Sequence, residues 1–179
     1  MQNPQAFSVL YANHYGSVLQ YAYRRVGADD APDITAEVFA VAWRRMDDIP
    51  PEVLPWLYGV ARRIVANHLR SSERADRLMA RHAGEASRTP MVRDVGDQVA
   101  EANAVQRAWS RLSADDRELL ALIGWERLGV GDAARVLGCS AAVCSVRLHR
   151  ARRRLQSQLS REEVTDRGLH GEMKPEVRT

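Results

Sequence analysis

The chain has 179 residues, 45% of them hydrophobic, with a net charge of +3 and a sequence pI near 9.2. That length holds one domain or two small ones, and the apolar fraction is enough to bury a core. No apolar run approaches the ~20 residues that span a bilayer, and Met1-Gln2-Asn3-Pro4 lacks the positive-then-apolar opening of a secretory signal, so a cytosolic protein without membrane insertion is expected.

Phe7, Leu10, Tyr11, His14, Tyr15, Val18, Leu19 and Ala22 fall at helical spacing and predict an amphipathic first helix ending near Gly27. Asp29-Asp30 before Ala31-Pro32 fits a second helix start, with proline in the first turn. Ile34, Val38, Val41 and Ala42 line one side of that helix. A Pro-bearing loop over 47–55 follows, and a third helix is predicted from about Trp56 through Arg70. Residues 71–97 turn polar and carry Gly84, Thr89-Pro90 and Gly96. The first part of that stretch can extend the third helix, and the rest reads as a linker.

Periodicity resumes with Val99, Ala102, Val105, Trp109 and Leu112. Ser113, with Asp116 three residues on, resembles a capping box. The helix it opens holds Leu119, Leu120, Leu122, Ile123 and Trp125. A short helix over Asp132–Leu137 then stops at Gly138, and Ser140 caps a helix with five arginines between positions 147 and 154. A short helix, a tight turn and a long basic helix make a helix-turn-helix, which sets side chains into a DNA major groove.

In the basic helix Cys144, Leu148, Ala151 and Leu155 recur at the spacing of a core seam. Ser145, Val146, His149, Arg150 and Arg153 lie opposite, toward the groove. Arg150 is the candidate for a bidentate guanine contact, His149 and Ser145 for polar contacts, and Val146 for a thymine methyl. Arg147, Arg152 and Arg154 lie toward the flanks, where they would meet phosphates. One or two arginines near a helix C-terminus would follow from the helix dipole alone; five would not.

Charge also divides along the chain. From Val26 to Pro55 there are seven acids and two arginines; from Trp56 to Arg77, five arginines and two acids. An ordinary solvated face would account for an acidic helix, but such a face does not bind DNA backbone and also suits a protein partner. All basic side chains but Lys174 are arginines, whose planar fork suits guanine and phosphate. A GC-rich genome raises arginine everywhere, so where the arginines fall says more than their number.

Neither a metal, a cofactor nor catalysis is expected. Cys139, Cys144 and His149 are five apart, a step of roughly 140° on a helix, so they cannot converge on one ion. Cys144 reads as a small core residue. His14, His68, His82, His149 and His170 are scattered, with no phosphate-cradling glycine loop and no paired His/acid motif.

The expected fold is all-α: two small helical domains, 1–76 and 98–159, joined by a flexible linker, 77–97, and followed by a charged tail, 160–179, that frays. The C-terminal domain is the helix-turn-helix.

Four segments, in order, resemble bacterial RNA polymerase sigma factors of the extracytoplasmic-function (ECF) group, within the sigma-70 family. They are FSVLYANHYGSVLQYAYRRVG, DDAPDITAEVFAVAWRRM, PWLYGVARRIVANHLR, and the stretch from RLSADDRELL to VRLHRARRRL. The resemblance covers roughly residues 5–157. It implies a protein that binds core polymerase, recognises −35 and −10 promoter elements and promotes melting. Asp33, Glu37, Phe39 and Trp43 would meet the clamp helices, with the flap as a further polymerase contact. The loop Asp47 to Pro55, with Asp47, Asp48 and Trp56, would pocket an unstacked −10 base, and Arg62, Arg63, Asn67, His68 and Arg70 would line the strand. Ser145, Val146, Arg147, His149, Arg150, Arg153 and Arg154 would read the −35 element. An anti-sigma factor is the implied regulator, and the cytoplasm, on the nucleoid, the implied place. This chain has Ala36 where the family usually has glutamine, and Val143-Cys144-Ser145-Val146 where the recognition helix usually begins Thr-Val-Lys/Arg-Ser. A free-standing regulator binding duplex operators also explains a helix-turn-helix, but leaves the acidic helix and the Pro-bearing loop without a role.

Overall fold

A computed structural model describes residues 3–83 and 99–170. Among these residues there are seven α-helices, a single 3-10 turn and no strand. Of the expected linker, 77–97, residues 77–83 are helical and 84–97 lie outside the described residues, as does the end of the tail from 171.

The N-terminal unit is a bundle of α1 (Pro4–Val26), α2 (Ala31–Arg44) and the first half of α3 (Val53–Ala83). Asn3 caps α1, its side chain accepting from the backbone N–H groups of Gln5 and Ala6 at 3.0 and 3.2 Å, with Pro4 in the first turn. The helix ends at Gly27, whose φ of 86° suits glycine alone. Pro32 opens α2 as the sequence predicts. Val18, Tyr21 and Ala22 of α1, Ile34, Val38 and Ala42 of α2, and Leu57, Ala61 and Ile64 of α3 form the core. A 3-10 turn, Met46–Asp48, leads out of α2, and α3 starts at Val53, three residues ahead of the expected Trp56. It also runs on past Arg70 to Ala83. No glycine or proline interrupts 71–83, and Arg77 pairs with Glu73 one turn back at 3.2 Å.

The C-terminal unit holds α4 (Val99–Ser110), α5 (Ala114–Gly124), α6 (Val130–Leu137) and α7 (Ala141–His170). Ser113 caps α5, its hydroxyl accepting from the Asp116 N–H at 3.1 Å. The Asp116 carboxylate does not complete the capping box; it accepts from Arg154 at 2.6 Å and ties α5 to α7. Gly138 ends α6 with φ 69°, the left-handed cap that glycine favours. Ser140 then caps α7, accepting from the Val143 N–H at 3.2 Å. Leu119 and Leu122 of α5, Ala133 and Ala134 of α6, and Cys144 and Leu148 of α7 are buried together, and Ala151 of α7 is buried as well. The last helix continues eleven residues past Leu159; Ser160–Arg167 contains no helix breaker, so the first part of the tail, expected to fray, is helical as far as His170. Between α5 and α6, Arg127 sits at φ 54°, a left-handed conformation that costs a non-glycine residue ~1–2 kcal/mol.

The two units touch. Helix α3 lies against α6, and one apolar cluster runs through both.

Candidate nucleic-acid interface

Helix α7 presents the face that the spacing predicts. Cys144 and Ala151 are 0% exposed and Leu148 is 5%, while Ser145, Val146, His149, Arg150 and Arg153 all face solvent. Two of the flanking arginines have partners inside the protein. Arg147 lies 3.4 Å from Asp115 and Arg154 2.6 Å from Asp116, both carboxylates of α5. Reaching a phosphate would require each to exchange that partner.

The residues expected to meet a single strand fall in two places. Arg62, Arg63, Asn67 and Arg70 share one wall of a cleft of about 800 Å³ between the units, and Arg70 donates to the Asn67 side chain. His68 is turned elsewhere, 3.1 Å from Asp30 at the start of α2. Asp47 and Asp48 are exposed on the 3-10 turn. Asp48 pairs with Arg45 at 3.3 Å, and the Arg45 guanidinium sits over the Trp56 ring at 5.9 Å. The loop and the arginine wall are thus joined by α3 but do not converge.

On α2, Asp33 and Glu37 are exposed and Trp43 is half-buried, its ring edge-on to Phe7 at 5.0 Å. Phe39 corrects the expectation of a contact side chain. It is only 2% exposed, enclosed by Tyr11 at 4.7 Å, Tyr15 at 6.1 Å and Phe7 at 6.4 Å. It shapes the face from beneath. The apolar surface beside it comes instead from Tyr11, 40% exposed and 4.7 Å from the Phe39 ring.

A polar network between the units was not anticipated. Glu118 of α5 accepts from the Tyr21 hydroxyl and from Arg25 Nε, each at 2.9 Å. Glu126, in the loop after α5, accepts from Arg24 at 2.6 Å and Arg25 at 3.2 Å. Its side chain is 2% exposed. The Arg25 guanidinium lies 3.4 Å from the centre of the Tyr21 ring, which stacks on Tyr58 at 4.9 Å. Burial, then the Glu126 carboxylate that its hydroxyl meets, pushes Tyr58 up to about 12. Burial and then Glu118 raise Tyr21 further still. Below pH 10, the ordinary tyrosine value, both phenols are neutral whether the chain is folded or not. Between pH 10 and about 12 only the unfolded chain gives up the Tyr58 proton, so stability falls across that window. Tyrosinate absorbance should show two of the five tyrosines titrating late; all five titrating together would contradict the burial of this network.

Cys144 is fully buried, and burial, then neighbouring Cys139, raises its thiol above the ordinary range. It serves as a small core side chain. Among the described residues no group of three His, Cys, Asp or Glu side chains could hold a metal ion. Among them, too, no helix is long and apolar enough to cross a membrane.

A helix-turn-helix with an exposed basic face, and a three-helix bundle with an arginine wall and an acidic helix, together define a transcription factor with two separate contact units. The sigma-70 region 2 family matches residues 10–75, and the sigma-70 region 4 family matches residues 102–155. The sigma factor NccH of Alcaligenes xylosoxydans xylosoxydans is 30% identical over 173 residues, 89% of each chain. The ECF sigma factor BldN of Streptomyces coelicolor is 31% identical over 157 residues, 84% of this chain and 59% of its own. This chain therefore spans about three-fifths of BldN, and it spans one third of a sigma-factor relative from Xanthomonas campestris. The fold resembles that of the sigma factor RpoE from Bartonella quintana, solved in complex with the anti-sigma factor NepR; TM-score is 0.61, identity 24%, coverage 87% of this chain and 98% of that one. The chain belongs to the ECF RNA polymerase sigma factors, a family in which regions 2 and 4 mediate promoter recognition and polymerase binding.

Proposed function

We propose that this chain is a promoter-specificity subunit without catalysis of its own. It mounts on core RNA polymerase through α2, reads the −10 element as single strand with α3 and the loop before it, and reads the −35 duplex with α7. The carrying observation is that both family segments lie in order in one chain, each presenting a face of matching chemistry. The acidic, aromatic-backed side of α2 offers Asp33, Glu37 and Trp43 to the polymerase clamp helices, and the flap would take the C-terminal unit. Asp47, Asp48 and Trp56 border the −10 base pocket, and Arg62, Arg63, Asn67 and Arg70 track the strand. His68 supports the start of α2 from its contact with Asp30. A free-standing operator-binding regulator leaves the region 2 match without a role.

An anti-sigma factor is the proposed regulator, by likeness to the Bartonella protein solved with one. The cytoplasm, on the nucleoid, is the proposed place of action. The test is run-off transcription with purified core polymerase and sequencing of the selected start sites. Defined starts that depend on the chain support the reading; no start above core polymerase alone overturns it.

The α7 face yields a sharper expectation. Arg150→Ala should lose ~1–3 kcal/mol at the −35 element and relax the preference at one base pair. Arg153→Ala should weaken binding to every duplex and flatten the salt dependence. Gel-shift titrations over a series of salt concentrations check both, and equal behaviour of the two variants would remove this division of roles.

A further inference from the structure

Two tryptophans have no part in the assignments above. Trp109 lies in the last turn of α4 and Trp125 directly follows α5. Their rings are 4.9 Å apart, tilted by 43°, and both line the cleft of about 800 Å³ between the units. Trp125 is 53% exposed. A large flat ring kept in water on a cleft wall is surface on which another flat ring can stack. Across from it, Val65, Ala66 and Leu69 of α3 add apolar lining.

Six arginines and two carboxylates line the same cleft. Both carboxylates are already compensated. Glu118 accepts from Arg25 at 2.9 Å, and Asp115 lies 3.4 Å from Arg147 of α7. Arg24 is held by Glu126 at 2.6 Å, and Arg70 donates to Asn67. Arg62 and Arg63 of α3 and Arg117 of α5 are left without an ion-pair partner among the described residues. Arg63 is exposed, and Arg62 and Arg117 are half-buried, so a ligand can reach all three. Uncompensated guanidinium groups on two walls, beside a stacking surface, fit a molecule with several negative charges at one end and a flat ring at the other. A cleft of this size takes one small molecule.

We infer that the cleft is a binding site for a purine nucleoside triphosphate, its base stacked on Trp125 and its phosphates held by Arg62, Arg63 and Arg117. A two-ring base covers more of an indole than a pyrimidine does, which favours purines. The guanidinium forks meet phosphate oxygens directly, with no metal ion required between them. The nucleotide takes arginines that the −10 strand would use, so the two exclude each other; that exclusion, though not the site itself, rests on the promoter-reading assignment above.

Equilibrium dialysis of the full chain against radiolabelled ATP in EDTA tests the site. ATP and GTP should bind once per chain and UTP several-fold more weakly. Adenosine and inorganic tripolyphosphate, each lacking one half of the ligand, should bind at least tenfold more weakly than ATP. W125A and R117A should each lose about tenfold, W125F and R117K much less, and R44A, which removes an exposed arginine of α2, nothing. Neither Trp125 nor Arg117 belongs to the buried core. Should W125A nevertheless lose helix content by circular dichroism, R117A with its rescue by R117K carries the test. No saturable ATP binding would overturn the site. Tripolyphosphate binding as well as ATP would reduce it to a plain anion patch, and unchanged affinity in both W125A and R117A would remove it from this cleft. Anisotropy of a short fluorescein-labelled single-stranded DNA then tests the exclusion, with ATP expected to displace the strand from the wild type but not from W125A/R117A. If ATP binds and the strand stays in place, the nucleotide site stands and the strand assignment of Arg62 and Arg63 falls.

Discussion

Leu122→Ala is expected to remove up to about half of the stability of the C-terminal unit. Leu122 is 0% exposed and belongs to the same buried cluster as Leu119, Ala133, Cys144 and Leu148. Close-packed surroundings relax only partly around a truncated side chain. A buried leucine truncated in such a setting costs ~2–5 kcal/mol, from lost transfer energy and from the cavity. A unit of some seventy residues holds about 4–10 kcal/mol in all. Urea titration should therefore show an early transition confined to the C-terminal unit, with loss of −35 duplex binding. The bundle of α1, α2 and α3 should melt as before. A single unshifted transition would mean that this leucine does not carry the packing of α5 against α7.

Trp43→Ala combined with Asp33→Ala should weaken polymerase binding by 2 kcal/mol or more, roughly 30-fold. Trp43 is half-buried and braced edge-on by Phe7, so it meets a partner already held in place and loses little freedom on docking. Asp33 stands in the first turn of α2, on the exposed side. Tryptophans of this kind, ringed by charge, dominate interface energetics. The −35 duplex affinity of the double variant should stay at the wild-type level, because α7 is untouched. Retention of polymerase at full strength would place the contact elsewhere, with exposed Tyr11 of α1, beside Phe39, the next side chain to mutate.

Local chemistry made much of this fold legible. Gly138 followed by Ser140 announces a left-handed stop and a fresh cap, and both are found. Ser113 caps α5 as its place before a leucine-rich run suggests. Cys144, Leu148 and Ala151 face inward because the helical period leaves them no alternative. Helix ends were less legible where breakers are absent. Both α3 and α7 outrun the expected stops by more than ten residues, since polar composition alone does not end a helix.

Contacts made far along the chain were not legible at all. Tyr21 and Glu118 are 97 residues apart, and no pattern near either one marks the other. Glu118 looks like any acid of a half-exposed helix, and Glu126 like a loop residue. The strand-side arginines were visible as a charge run, but not their placement opposite α5. Phe39 misled because a motif position says which residue type recurs, not which way it points. In three dimensions four aromatic rings close around one another there, and Phe39 is the one sealed inside.

The indole rings of Trp109 and Trp125 lie 4.9 Å apart on the cleft wall, and Trp125 is 53% exposed. The protein thus carries an optical gauge in the cleft itself. Emission from that pair should change in colour and intensity when a strand or a partner enters, so stopped-flow mixing of the unlabelled chain can time that entry directly, with no dye attached.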